Sequence, residues 1–131
     1  MVKVKASNIV VNESYFSNNL LAPGNFSLKP ELSRSISKNK ENGLFAVELK
    51  LSIKNTPENP FPIDVLIRLS GIFDFSEGTE EEIIEYLNHQ GTDLVYPYMR
   101  AYVANLTALS MIPAIQLPQL TAFESFKNDK N

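Results

Sequence analysis

Apolar and polar residues alternate with a period of two across most of the first half of the chain. The cleanest run is residues 44–54. Phe45, Val47, Leu49, Leu51 and Ile53 oppose Ala46, Glu48, Lys50, Ser52 and Lys54. That pattern predicts a strand with one buried and one wetter face. Asn55-Thr56-Pro57-Glu58-Asn59-Pro60 breaks it as a turn. A second alternation then sets Ile63, Val65, Ile67 and Leu69 against Asp64, Leu66, Arg68 and Ser70. Two such runs with a short link predict an antiparallel hairpin. Leu66 and Ile72 put apolar groups on the nominally wet face, which is therefore only partly solvated.

Upstream, Phe26, Leu28, Leu32 and Ile36 share one parity against Ser27, Lys29, Glu31, Ser33, Ser35 and Ser37. This predicts a long strand, irregular at Pro30. A polar turn at residues 38–43 leads into the next strand. At the start, Val2 and Val4 alternate with Lys3 and Lys5, and Ile9 and Val11 continue with shifted parity. A bulge near residues 6–8 reconciles the two. Residues 17–25 form a loop with Leu20 and Leu21 at its tip.

After Phe75 the period changes. Thr79-Glu80-Glu81-Glu82 has capping-box spacing, and its glutamates suit the positive end of a helix dipole. Ile83, Ile84 and Leu87 give that helix an apolar stripe, and Gly91 is placed to end it. Val95, Tyr98, Met99, Tyr102, Leu106 and Leu109 recur at helical spacing over residues 92–110. Pro97 belongs in a first turn, which pulls the helix start towards Tyr96. Residues 112–118 are an extended apolar segment, 121–126 a short last helix, and 127–131 a frayed end. Four strands followed by helices make an α+β domain spanning residues 1–131, a four-stranded antiparallel sheet with helices on one face.

Composition narrows the function. The chain has 131 residues, enough for one domain with a real core. Its net charge of −3 argues against nucleic acid as the main partner. No apolar run nears the ~20 residues needed for membrane insertion, and no signal-peptide h-region opens the chain, so the expected compartment is cytoplasmic. There is no cysteine, hence no disulfide or thiolate metal site.

Catalytic chemistry finds no foothold. His89 is the sole histidine; a metal centre wants several convergent ligands, and this one suits the negative end of a helix dipole. Glu80, Glu81, Glu82 and Glu85 sit where a first helical turn wants solvated carboxylates. No nucleophile elbow or phosphate-cradling glycine loop occurs. The expectation is a protein without enzymatic activity or cofactor. Apolar surplus remains: Leu20 and Leu21 on an exposed loop, Leu66 and Ile72 on the wrong strand face, and a helix rich in aromatics. Such surplus points to partners.

Three separated stretches carry a resemblance. They are Gly71-Ile72-Phe73-Asp74-Phe75, then Leu94-Val95-Tyr96-Pro97-Tyr98-Met99-Arg100, then Pro113-Ala114-Ile115-Gln116-Leu117-Pro118-Gln119-Leu120. In order and spacing they resemble the SecB export-chaperone family, strongly over residues 71–123 and weakly before Gly43. The resemblance implies a dimer of dimers that holds non-native polypeptide clients without ATP in long apolar grooves. It maps client binding onto Leu20, Leu21, Phe26, Ile72, Phe73, Tyr98, Met99, Tyr102 and Leu106. Family members dock the SecA motor through acidic side chains on the sheet face. Here the matching positions hold Asn8, Asn12 and Leu66, which puts that docking in question. Some SecB-like proteins instead serve as chaperones for the antitoxin of a toxin–antitoxin pair. A dedicated interaction protein with one partner is the alternative. A carrier or small enzyme with a closed cavity is a third reading.

Overall fold

The computed structural model describes residues 1–118. The short helix expected at 121–126 and the frayed end at 127–131 lie outside the described residues. Strands β1 (Lys3–Asn18), β2 (Glu31–Lys38), β3 (Phe45–Ile53) and β4 (Ile63–Glu77) precede helix α1 (Glu80–Tyr86), a π-helical segment (Leu87–Gly91) and helix α2 (Thr92–Leu109). The sheet order is β1-β4-β3-β2 with every pair antiparallel. This is the expected α+β architecture.

The hairpin of β3 and β4 is the centre of the sheet. Its register sets Leu49 beside Leu69 and Leu51 beside Ile67, so the two alternating rows share one face. Val47, Leu49 and Ile67 are fully buried there. Helix α2 covers this inner face, packing principally on β3 and β4. The outer face carries the other parity, including Glu48, Lys50, Leu66, Arg68 and Ile72.

Because β1 and β2 are opposite edges, the chain between them must cross beneath two other strands, a span of ~14 Å at the usual strand spacing. The crossover, residues 19–30, is tied to the β3–β4 turn. The Asn19 N–H donates to the Pro62 carbonyl at 2.8 Å, and Asn59 Nδ2 donates to the Ser27 carbonyl at 3.3 Å. The Phe26 ring meets Phe61 edge-on at 6.3 Å. Residues 26–30 are thus loop rather than strand, and β2 begins only after Pro30. The alternation of Phe26 and Leu28 reflects burial of Phe26 against the turn, not sheet pairing.

The bulge anticipated near residues 6–8 occurs slightly earlier, where the register shifts between Lys3 and Val4 and again between Val4 and Ala6, and a third shift follows between Val11 and Glu13. Gly91 does not end a helix. Its φ is −62°, and the backbone stays right-handed from α1 through the π segment into α2. The glycine instead packs closely: a Cβ there would lie 3.0 Å from Leu87 Cδ2, at the tip of a side chain that would have to give way. Pro97 sits inside α2 rather than in its first turn. The carbonyl it would have bonded belongs to Asp93 on the exposed side of the helix, which limits the cost.

After Leu109 the chain reverses through Met111, which adopts φ +65°, and runs back along α2. Thr107 Oγ1 accepts from the Ile115 N–H at 2.9 Å. Arg100 Nε donates to the Leu117 carbonyl at 3.0 Å. Tyr96 donates its hydroxyl to the Pro118 carbonyl at 2.7 Å, and its burial raises the phenol pKa. Leu117 enters the core, 3 % exposed.

Candidate functional site

Helix α2 divides the inner face into two unequal halves. Val95, Met99, Val103 and Thr107 point down onto the sheet and are buried. Tyr96 and Arg100, on one flank, hold the returning segment. The opposite flank carries Leu94, Tyr98, Tyr102 and Leu106, each four residues from the next, so they form one stripe. Nothing within the described residues closes over this stripe. Leu94 is 53 % exposed and Tyr98 55 %, with Tyr102 and Leu106 half-buried.

The facing wall is β1. Its inner-side residues follow from the pairing of Ile9 with Gly71, Val11 with Leu69 and Phe16 with Val65. Val11 is exposed, while Ile9 and Phe16 are half-buried. Between wall and helix runs a trench with a cleft at each end. One, about 370 Å³, is lined by Ser7, Ile9, Phe73, Leu94, Val95 and Tyr98, among others. The other, about 320 Å³, is lined by Asn18, Phe61, Pro62, Ile63, Ile112 and Ile115, with Pro113 beside them. No charged side chain lines either cleft. From Leu94 to Leu109 α2 extends ~22 Å, the reach of about seven residues of extended chain.

The residues singled out from the sequence separate into distinct places. Tyr98, Tyr102 and Leu106 share the trench-facing stripe. Phe26 backs onto Phe61 at the lower cleft. Leu20 is 85 % exposed on the crossover with φ +53°, and Leu21 is partly covered beside it. Phe73 lines the upper cleft at 2 % exposure and Met99 is fully buried, so both support the trench from beneath. Ile72 is not brought to this side: it lies on the outer face, paired with Asn8 and Ala46. Sequence reasoning passed over Leu94, Phe61, Ile112 and Ile115. The last two stood out as apolar, but only the chain reversal at Met111 brings them to the foot of the trench.

The acidic turn at Glu80–Glu82 is structural. Thr79 and Glu82 form both halves of a capping box, and the Met1 amine sits 2.9 Å from Glu82. These bonds hold the Glu82 carboxyl below its ordinary range, the Thr79 backbone N–H contributing most. His89 is exposed and lies 3.2 Å from Glu85. Among the described residues no group of three or more potential metal ligands gathers.

The sequence matches the family described as "Preprotein translocase subunit SecB" over residues 7–129. The chain belongs to the SecB family. A Mycobacterium tuberculosis SecB-like chaperone, Rv1957, solved with a ChAD peptide from the Rv1956 HigA1 antitoxin, has a similar fold. The two superpose with a TM-score of 0.73 at 20 % identity, covering 92 % of this chain and 91 % of that one. A Streptococcus agalactiae protein of unknown function gives a TM-score of 0.39 at 13 % identity, covering 90 % of this chain and 98 % of that one. No curated protein sequence matches this chain.

In this SecB-family chain Asn8, Asn12 and Leu66 all lie on the outer sheet face. Asn8 pairs with Ile72, Leu66 lies between Tyr15 and Ser52, and Asn12 accepts from the Ser70 hydroxyl at 2.6 Å. Two carboxylates on this face, Glu48 and Glu13, grip Arg68 at 2.9 and 3.3 Å and hold its pKa up. Among the described residues no helix is long and apolar enough to cross a membrane.

Proposed function

We propose that this protein is an ATP-independent holdase that binds apolar stretches of non-native polypeptides in the trench between α2 and β1. The observation carrying the reading is the open stripe of Leu94, Tyr98, Tyr102 and Leu106 facing Ile9, Val11 and Phe16, with an apolar cleft at its foot. Family membership supports the same reading. Client affinity comes from apolar burial at ~25 cal/mol per Å², offset by the entropy of ordering the client. Aromatic side chains suit a site that accepts varied sequences, since they contribute large contact area at little rotamer cost. Leu20 and Leu21 on the crossover, with Phe26 behind them, complete the client-binding surface, and Phe73 and Met99 fix its floor. Ile72 contributes only on the outer face. With this reading go a cytoplasmic setting and a dimer-of-dimers assembly, both taken from the family.

A narrower reading has one specific support: the similar Mycobacterium chaperone was solved with an antitoxin peptide. On that reading the trench serves one dedicated partner. Asn8, Asn12 and Leu66, where family members place acidic groups, favour a role apart from SecA-linked export.

The test is suppression of aggregation of a chemically unfolded client, without ATP, at stoichiometric protein. The wild type suppresses it, and Tyr98→Asp combined with Tyr102→Asp weakens client binding by roughly tenfold or more, as expected for charges placed in an apolar interface. No suppression by the wild type sinks the holdase reading. Suppression restricted to a single co-purifying partner selects the dedicated one.

A further inference from the structure

The outer face of the sheet carries a second concavity, of different chemistry and on the side away from the trench. It is an open cleft of about 340 Å³ bordered by Glu31, Ser33, Lys50, Ser52, Lys54 and Leu66. The strand period puts Lys50, Ser52 and Lys54 in a row on β3. The register sets Ser33 beside Lys50, and places Glu31 and Leu66 on either side of Ser52. The serine is thus the centre of the notch.

Two features of the notch bear on what it can receive. Ser52 is only 8 % exposed, yet among the described residues its hydroxyl finds no hydrogen-bond partner. The hydroxyl is not sealed off: among the described residues Asn88 Oδ1 is the one buried side-chain polar atom without a partner, so the Ser52 hydroxyl reaches the surface, and Ser52 lines the cleft. Among the described residues neither Lys50 nor Lys54 enters an ion pair. Arg68, directly across from Lys50, shows the contrast: Glu48 and Glu13 neutralise it. The outer face has therefore cancelled its arginine and left its lysines open.

We propose that this notch receives an acidic side chain of a polypeptide partner, its carboxylate accepting from the Ser52 hydroxyl between the Lys50 and Lys54 ammonium groups. Two lysines and Glu31 give the notch a net charge of +1, which matches a single carboxylate. A phosphate dianion would meet Glu31 at close range with too little positive charge to offset it. Leu66 supplies the apolar floor for the methylene stem of an aspartate or glutamate. The site stands on a paired central strand, so it is positioned before the partner arrives. It lies on the opposite side of the sheet from α2, so partner and client can be held together.

The experiment is an NMR titration of the isotope-labelled full chain with a blocked pentapeptide carrying one central glutamate. Parallel titrations use its glutamine counterpart and inorganic phosphate. The expected result is saturable shifts at the amides of Lys50, Ser52 and Leu66. The glutamine peptide should bind roughly fivefold or more weakly, and phosphate more weakly than the glutamate peptide. Ser52→Ala and the pair Lys50→Gln with Lys54→Gln should each weaken binding several-fold, while Tm and aggregation suppression stay at wild-type values. Shifts that are absent, that centre on Tyr98 instead, or that persist unchanged with the glutamine peptide overturn the proposal. So does binding indifferent to these substitutions, and phosphate binding tighter than the glutamate peptide overturns the carboxylate assignment.

Discussion

Val95 of α2 rests directly on Gly71 of β4. A Cβ added at Gly71 would lie 2.4 Å from Val95 Cγ2 and 3.1 Å from the Phe73 ring. The contact sets the height of the helix above the sheet, and so the depth of the upper cleft that Val95 and Phe73 line. The glycine is required by this close approach.

Gly71→Ala should therefore destabilise the fold by about 1–3 kcal/mol, the usual cost of overpacking. Val95→Ala in the same chain should recover part of the loss, because it removes the methyl that clashes. Urea unfolding of the two single variants and the double gives the coupling directly. Additive effects would mean that the helix shifts to absorb the methyl.

Sequence spacing treats Tyr98 and Met99 as neighbours in one apolar group, yet the structure gives them opposite fates. Met99 is fully buried, and Tyr98 is more than half exposed. Met99→Asp buries a carboxylate with no partner and should cost several kcal/mol, enough to unfold a domain of ordinary stability. Tyr98→Asp should leave far-UV circular dichroism and Tm close to wild type. A folded Met99→Asp protein with normal Tm would overturn the assignment of the two faces of α2.

How much of this was legible in the sequence follows from what periodicity can encode. The parity of Phe45 to Leu69 fixed two strands, their faces and their hairpin, because side-chain direction alternates strictly along a strand. Thr79 and Glu82 announced a helix start through local chemistry alone. Gly91 was misleading, since a glycine used for a left-handed cap and one used for close packing against Leu87 look alike in sequence. Phe26 was misleading in another way: it alternates with its neighbours as a strand residue would, but its ring is spent on Phe61, 35 positions later. The trench was half legible. Tyr98, Tyr102 and Leu106 are visible as a stripe, whereas their facing wall on β1 and the foot at Ile112 and Ile115 depend on strand order and on the reversal at Met111. Neither has a local signature.

Arg34 stands on the inner face of edge strand β2, where a cation would otherwise be out of place. Its Nη1 donates to the Asn88 carbonyl at 2.7 Å and to Thr92 Oγ1 at 3.3 Å. The Thr92 hydroxyl in turn donates to the Leu87 carbonyl at 2.7 Å. One side chain thus ties an edge of the sheet to the π-helical segment, where the regular helical ladder is interrupted. Arg34→Ala should cost about 1.5–3 kcal/mol, the range for hydrogen bonds from a charged donor. Amide hydrogen exchange should quicken across residues 87–92 more than in β3. Uniform quickening over the whole chain would instead mark Arg34 as a global stabiliser.

The capping box makes a prediction about acid. Glu82 binds the Thr79 backbone N–H at 2.9 Å and the Met1 amine at 2.9 Å. Both favour the charged carboxylate, so its folded-state pKa lies below the ordinary value of 4.5. A carboxylate of lowered pKa contributes stability that is fully present above its unfolded value. That contribution is lost as pH falls through the folded value. Wild-type Tm should therefore drop on acidification from about pH 4.5 downward more steeply than that of Glu82→Gln, which keeps the side-chain acceptor but has no charge to lose. Near neutral pH the variant should be the less stable of the two, and the curves should converge in acid. Thermal melts of both proteins from pH 7 to pH 3 make the comparison. Parallel curves across that range would show that the Thr79, Glu82 and Met1 contacts carry no net charge-dependent stability.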